Sequence, residues 1–306
     1  MITWTIGAGG LLGGAIQRSS TKVFTGPAIA WADTEESIKL LRTTAQEFAS
    51  EVGQSDWAII WAAGNASTSS SAADAQRELH TFTALTQEIR EHHPKGRGAF
   101  FTASSAGGIY AGAYPPPFDD TTVPMPLSPY GELKLAQERQ AVSALEGICP
   151  VVIGRLANLY GPGQNLDKLQ GLISRLALAS VTRQPINMFV SLDTMRDYIY
   201  TDDAAAVILH WVAEAIEHPS ADAQIKVIAS GQPVSLGYLI HLMQDIARTR
   251  IPVAFGVHES ATAQALDLRL TPTTDVVSQH LVRMPLSAGV KMTYLDILER
   301  YQQALG

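Results

Sequence analysis

Tyr130 and Lys134 stand four residues apart in the run Ser128-Pro129-Tyr130-Gly131-Glu132-Leu133-Lys134, so on a helix their side chains share one face. A phenol normally keeps its proton near neutral pH, and an ammonium beside it favours the anion. Such a pair can take a proton from a substrate hydroxyl and return it, which is general acid–base work. Upstream, Ala103-Ser104-Ser105-Ala106 closes a short apolar run. A hydroxyl there could hydrogen-bond the reacting oxygen and share its proton with Tyr130. Counting from the strand favours Ser104, while counting back from the tyrosine helix does not separate it from Ser105. Either serine can serve. Outside such chemistry, each is a turn-capping hydroxyl.

At the start of the chain, Gly7-Ala8-Gly9-Gly10-Leu11-Leu12-Gly13 lies between a strand pattern and a helical one. Glycines let the backbone turn sharply and approach a pyrophosphate, and the N–H groups that open a helix favour that anion. Gly7, Gly10 and Gly13 are spaced GxxGxxG, one residue wider than the commonest dinucleotide turn; the strand-before, helix-after setting gives the run its weight. The turn points to NAD or NADP, and an oxidised nicotinamide would join Lys134 in favouring the tyrosinate. An acidic residue about twenty positions on should hold the adenosine ribose. The second strand ends at Phe24-Thr25 with no carboxylate, and Asp33 ends the next apolar run, nearer the adenine. Asp33 can equally cap the helix after it. The choice between NAD and NADP stays open.

Periodicity supplies the elements that must position these groups. Strand patterns fall at 2–6, 22–25, 28–32, 57–62, 99–103 and 151–155, and helical patterns at 11–19, 34–52, 73–92 and 130–145. Repeated strand–helix units imply an α/β, Rossmann-like doubly wound parallel sheet with helices on both faces. Beyond Gly161 the rhythm breaks into helices at 169–180, 202–217, 235–248 and 294–305, with short strands at 186–190, 197–200 and 226–229. Proline-rich stretches at 114–118 and 123–129 mark an ordered loop. A chain of 306 residues exceeds what one core usually serves, so a second domain or an enlarged one is expected. With 46% apolar and 17% charged residues, disorder is ruled out as the main theme.

The net charge of −7, without a Lys/Arg run, argues against a nucleic-acid partner. The single cysteine, Cys149, makes no intrachain disulfide and no cysteine-based metal site, and His92-His93 ends a helix, so no metal is expected. Trp4, Trp31, Trp57, Trp61 and Trp211 read as core or sheet-packing residues. Neither a basic leader with an apolar stretch nor a bilayer-length apolar run is present, so the expectation is a soluble, cytoplasmic protein without a membrane partner.

Together these residues resemble the extended short-chain dehydrogenase/reductase family, the nucleotide-sugar epimerases and dehydratases, over nearly the whole chain. Trp61-Ala62-Ala63-Gly64 stands where that family has its fourth-strand Ala-Ala motif. Arg155-Leu156-Ala157-Asn158-Leu159-Tyr160-Gly161-Pro162-Gly163 is similar to its RxxNxYGPG segment, and Arg196-Asp197-Tyr198-Ile199-Tyr200-Thr201-Asp202-Asp203 to its RDYIYVDD segment. Pro285-Leu286-Ser287-Ala288-Gly289 resembles the start of its last helix.

The resemblance implies a dinucleotide-binding domain over 1–160, to which 196–230 returns, a smaller substrate domain from 161–195 and 231–290, and a terminal helix at 291–306. It implies Ala62, Ala63 and Gly64 against the cofactor, Asn158 against the substrate, and Arg269 as a candidate for a substrate diphosphate. Arg196 and Asp197 fit a structural role between domains. The implied activity is a nucleotide-sugar epimerase with a retained nicotinamide cofactor, Tyr130 moving the proton as hydride passes to the ring. The alternatives are an NAD(P)H-dependent ketoreductase and a non-catalytic dinucleotide sensor. A homodimer formed through helices 73–92 and 130–145 is implied as well. Ala-Ser-Ser-Ala replaces the Thr-Asp-Glu of the 4,6-dehydratases, which disfavours dehydration for want of an acid.

Overall fold

The computed structural model of the chain describes every residue except Asn65, Thr68, Ser69, 167–170, 257–264 and Gly306. Strand β1 (Ile2–Ile6) runs through the glycine turn into α1 (Leu11–Ser19), and two residues form β2 (Val23–Phe24). Helix α2 (Thr34–Val52) starts where Asp33 accepts the Glu36 N–H and ends at Gly53, with Ile38, Leu41, Ala45 and Phe48 as its buried stripe. β3 (Trp57–Trp61) is buried throughout, and α3 (Ala72–Glu91) opens with a capping box between Ser71 and Asp74. β4 (Gly98–Ser105) leads into the short α4 (Ala106–Ile109). After the proline-rich loop, α5 (Pro129–Leu145) carries a proline in its first turn and a Ser128 cap, and β5 (Val151–Leu156) follows.

The second part of the chain alternates short strands with helices: β6 (Asn158–Tyr160), α6 (Leu172–Thr182), β7 (Ile186–Met188), β8 (Met195–Arg196), β9 (Tyr198–Tyr200) and α7 (Thr201–Glu217). Next come β10 (Gln224–Ile228), β11 (Val234–Ser235), α8 (Leu236–Ala247), β12 (Val253–Phe255), β13 (Asp267–Leu268) and α9 (Leu286–Leu305).

The main sheet has six strands, all pairs parallel, in the order β10-β5-β4-β3-β1-β2. Alternate strand residues feed opposite cores. Ala58, Ile60, Phe101 and Val152 pack with α1, α4 and α7, while Trp57, Ile59, Phe100 and Ile153 pack with α2, α3 and α5. A third core joins α6, α8 and α9 around Leu176, Leu239 and Ile297. Strand order reverses at β1, between β2 and β3, and a ligand crevice is expected beyond the carboxyl ends of strands at such a switch point.

The strand expected at 28–32 is not formed. The Ala30 carbonyl accepts the Asp33 N–H at 2.8 Å and the Ser37 hydroxyl at 2.8 Å, so the segment turns onto α2 instead of joining the ladder. The helix expected from Leu169 begins outside the described residues, and its described part is α6. The last helix starts at Leu286, well before the expected 294, with the Gly289 N–H on the Pro285 carbonyl at 3.0 Å. Trp4, Trp57, Trp61 and Trp211 are core residues, each 7% exposed or less, whereas Trp31 lines a cavity. Among the described residues, no helix is long and apolar enough to cross a membrane.

Candidate active site

Gly7, at the end of β1, has φ 93°, which suits a residue without a side chain. A Cβ on Gly7 would lie 2.7 Å from the Ala62 carbonyl oxygen, and one on Gly13 would overlap the Gly7 carbonyl. These two glycines let α1 dock onto the ends of β1 and β3. The Gly10 N–H closes the turn on the Gly7 carbonyl at 2.8 Å, and Gly9 faces open space. No side chain caps α1, so its first-turn N–H groups suit an anion. Gly7, Gly9, Gly10, Leu11 and Leu12 line a cavity of about 800 Å³, together with Ala62, Ala63 and Gly64, the first two packed against Gly7. This open, uncapped cradle fits the pyrophosphate of a dinucleotide. Gly13 acts through packing, outside the lining.

Tyr130 and Lys134 line the same cavity from the first turns of α5, whose Ser128 cap accepts the Gly131 N–H at 3.2 Å. The Lys134 ammonium is 5.7 Å from the Tyr130 ring centre, and the residue is 6% exposed. It donates to Gln137 Oε1 at 3.0 Å and to Glu78 Oε1 at 3.3 Å. Glu78 also accepts from Gln137 Nε2 at 3.2 Å and from the Ala66 N–H at 3.0 Å. Burial pushes the Glu78 carboxyl up, but the Lys134 charge and these hydrogen bonds outweigh it and hold it below its ordinary value. Lys134 thus has a partner that spacing did not point to. A signal existed: Glu78 falls on the stripe that buries Ala75, Phe82, Leu85 and Ile89 of α3, an odd place for a carboxylate.

Both serines line the cavity, but with different partners. Ser104, 5% exposed, donates to Glu138 Oε1 at 2.6 Å. Glu138 receives the Arg155 guanidinium through Nε at 3.1 Å and Nη2 at 2.8 Å, and Arg155 Nη1 donates to the Tyr110 hydroxyl at 2.8 Å. Burial opposes the Arg155 charge, yet its bonds to Glu138 and Tyr110 keep the guanidinium pKa above its ordinary value. Ser105 is half-buried and accepts the Gly108 N–H at 3.1 Å as the cap of α4. In that arrangement its own proton is available to donate.

At the far end Asn158 lines the cavity, and its side-chain amide donates to the Asp197 carbonyl at 3.0 Å. Asp197 is fully buried and accepts from the Ser230 N–H and hydroxyl at 2.8 and 3.0 Å, tying the start of β9 to the loop after β10. Arg196 lines the cavity, and burial lowers the pKa of its guanidinium. Two expected ligand residues lie elsewhere. Arg269 forms a forked pair with Asp267, Nε and Nη2 each 2.9 Å from Oδ2, and stands outside the lining because β13 turns it to solvent. Asp33 is exposed, its carboxylate engaged with the Glu36 N–H at 3.1 Å, and it does not line the cavity. Trp31 packs against the core through Trp61 and also lines the cavity. Among the described lining residues Lys134 and Arg196 are the cations, and there is no carboxylate.

The sequence model described as "NAD dependent epimerase/dehydratase family" matches residues 25–226. The dTDP-L-rhamnose 4-epimerase of Burkholderia thailandensis is 34% identical over 119 residues, covering 38% of this chain and 32% of that protein. The dTDP-4-dehydro-6-deoxyglucose reductase of Escherichia coli is 28% identical over 172 residues, 55% of this chain and 52% of that protein. The chain therefore spans about a third to a half of the length of these curated relatives. Among solved structures, the UDP-glucose 4-epimerase of Thermus thermophilus in complex with NAD superposes with a TM-score of 0.77 at 19% identity, covering 97% of this chain and 99% of that one. That last likeness is one of fold.

Proposed function

We propose that this chain, which belongs to the NAD dependent epimerase/dehydratase family, oxidises and re-reduces a hydroxyl-bearing carbon of a nucleotide sugar with a bound nicotinamide cofactor. One observation carries the reading: Tyr130 and Lys134 face the cavity whose other wall is the uncapped glycine turn. When bound, the nicotinamide ring supplies the hydride acceptor and donor.

The chain's own residues do the rest. Tyr130 takes the proton of the sugar hydroxyl through its phenolic oxygen and returns it when the carbonyl is reduced. The Lys134 ammonium, fixed by Glu78 and Gln137, stabilises negative charge at that oxygen. Ser105 donates a hydrogen bond to the reacting oxygen, and Ser104 holds the end of β4 through Glu138. First-turn N–H groups of α1 hold the cofactor pyrophosphate, while Asn158 and Arg196 hold the sugar nucleotide, the latter through its diphosphate. The absence of a lining carboxylate among the described residues speaks against dehydration, which needs a carboxylate base to take a carbon-bound proton.

A ketoreductase is the second reading, favoured by the 172-residue match to the Escherichia coli reductase. Denaturing the purified protein and assaying the supernatant separates the two: retained NAD supports the epimerase, and an empty site that consumes NADPH supports the reductase. Tyr130→Phe should lower turnover by about 10²–10⁴-fold with little change in cofactor affinity. Undiminished turnover would overturn the assignment. We also propose that the chain pairs with a second copy through the outer faces of α3 and α5, where His80 and Val142 are exposed.

A further inference from the structure

Strands β1 and β2 run parallel with Thr3 opposite Val23 and Trp4 opposite Phe24. The adenosine half of a dinucleotide belongs beyond their carboxyl ends, where a carboxylate marks a ribose hydroxyl and an arginine marks a 2′-phosphate. After Phe24 come Thr25, Gly26, Pro27 and Ala28, which carry neither. Asp33, the nearest acid, is the cap of α2, and the cations of the lining lie on α5 and β8.

What the wall offers at that end is Trp31. Its backbone is fixed by the Trp31 N–H on the Ile29 carbonyl at 3.0 Å and by the two bonds to the Ala30 carbonyl that hold the segment on α2. Its ring stands edge-on to Trp61, 5.9 Å between centres at 89°, and Trp61 is fully buried in β3. The indole, braced in this way, lines the same cavity as Gly7, Gly9 and Gly64.

We infer that Trp31 is the adenosine-recognition residue of this site, stacking on the adenine, and that the site accepts NAD and NADP with similar affinity because, among the described residues, no charged group follows β2 to read the 2′ position. The inference rests on the dinucleotide reading above. A purine presents a π-face whatever its ribose carries, so stacking is blind to the 2′ substituent.

The test first strips any retained dinucleotide from the full chain, then titrates it with NADH, NADPH and ADP-ribose by calorimetry. Wild type should bind NADH and NADPH within about tenfold of each other, and Trp31→Ala should weaken all three ligands together by about tenfold or more. Trp31→Phe keeps a ring and should retain most of the affinity, so it separates lost stacking from misfolding, which circular dichroism checks. Unchanged binding by Trp31→Ala, or a preference above about a hundredfold for one cofactor, would overturn the inference alone. Binding of none of the three by wild type would overturn the dinucleotide reading as well.

Discussion

Ser104 and Ser105 are neighbours in sequence, yet their hydroxyls meet different partners. Ser104 donates a hydrogen bond to Glu138, thirty-four positions away, inside a buried network with Arg155 and Tyr110. Ser105 accepts a backbone N–H and keeps its proton for the cavity. Ser105→Ala should therefore lower turnover by about 10²-fold while losing only the α4 cap, about 0.5–1 kcal/mol of stability. Ser104→Ala should instead lower stability by about 1–3 kcal/mol, because Glu138 loses a buried donor. Turnover and urea midpoints of the two variants check this, and the reverse pattern would exchange the roles. Counting from the strand favours Ser104 as the reacting hydroxyl, whereas what distinguishes the two serines is a carboxylate on another element that engages Ser104. The Tyr130–Lys134 pair was legible because both members sit on one helix turn.

Helix α5 is only weakly amphipathic in sequence because Lys134 and Glu138 occupy its buried side alongside Ala141 and Leu145. Each charge is met from another element, Lys134 by Glu78 of α3 and Glu138 by Arg155 of β5. Helix α1 depends on a different device, the absence of side chains. Gly13→Ala places a Cβ against the Gly7 carbonyl, and Gly7 cannot retreat because Ala62 backs it. We expect a loss of about 1–3 kcal/mol and a displaced turn that no longer binds NADH, read by thermal melting and calorimetry. Wild-type binding by Gly13→Ala would sink the packing argument. The segment at 28–32 shows the opposite limit: its apolar residues suit a strand, but hydrogen bonds from Ser37 and Asp33 hold it as a turn.

At the scale of the molecule, the six-stranded sheet divides two cores and the C-terminal helices enclose a third, with the cavity lined from both sides of that division. β10 rejoins the main sheet beside β5 after a long excursion. Pairing through α3 and α5 predicts a particle of twice the 32.9 kDa chain mass in light scattering. Val142→Glu, on the exposed side of α5, should return it to one chain mass. A wild-type particle of 32.9 kDa at micromolar concentration would refute the pairing. The thiol of Cys149 gives an independent reading of the whole fold. The half-buried thiol is pushed up to about 12 by burial, so it should react with thiol reagents at about pH 8 more slowly in the folded protein than in the unfolded chain.

The order of residues alone determined the alternation of strands and helices, the glycine turn and the tyrosine–lysine pair. Those features rest on local spacing, hydrophobic period and backbone sterics, all carried by near neighbours. Tertiary structure decided the rest. It fixed which serine is committed to Glu138, that Glu78 pairs with Lys134, that Arg196 rather than Arg269 reaches the cavity, and that Trp31 lines its wall while Asp33 caps a helix. Most of these depend on partners dozens of residues apart, and whether a charge or an indole is buried, paired or open is settled only when distant elements pack.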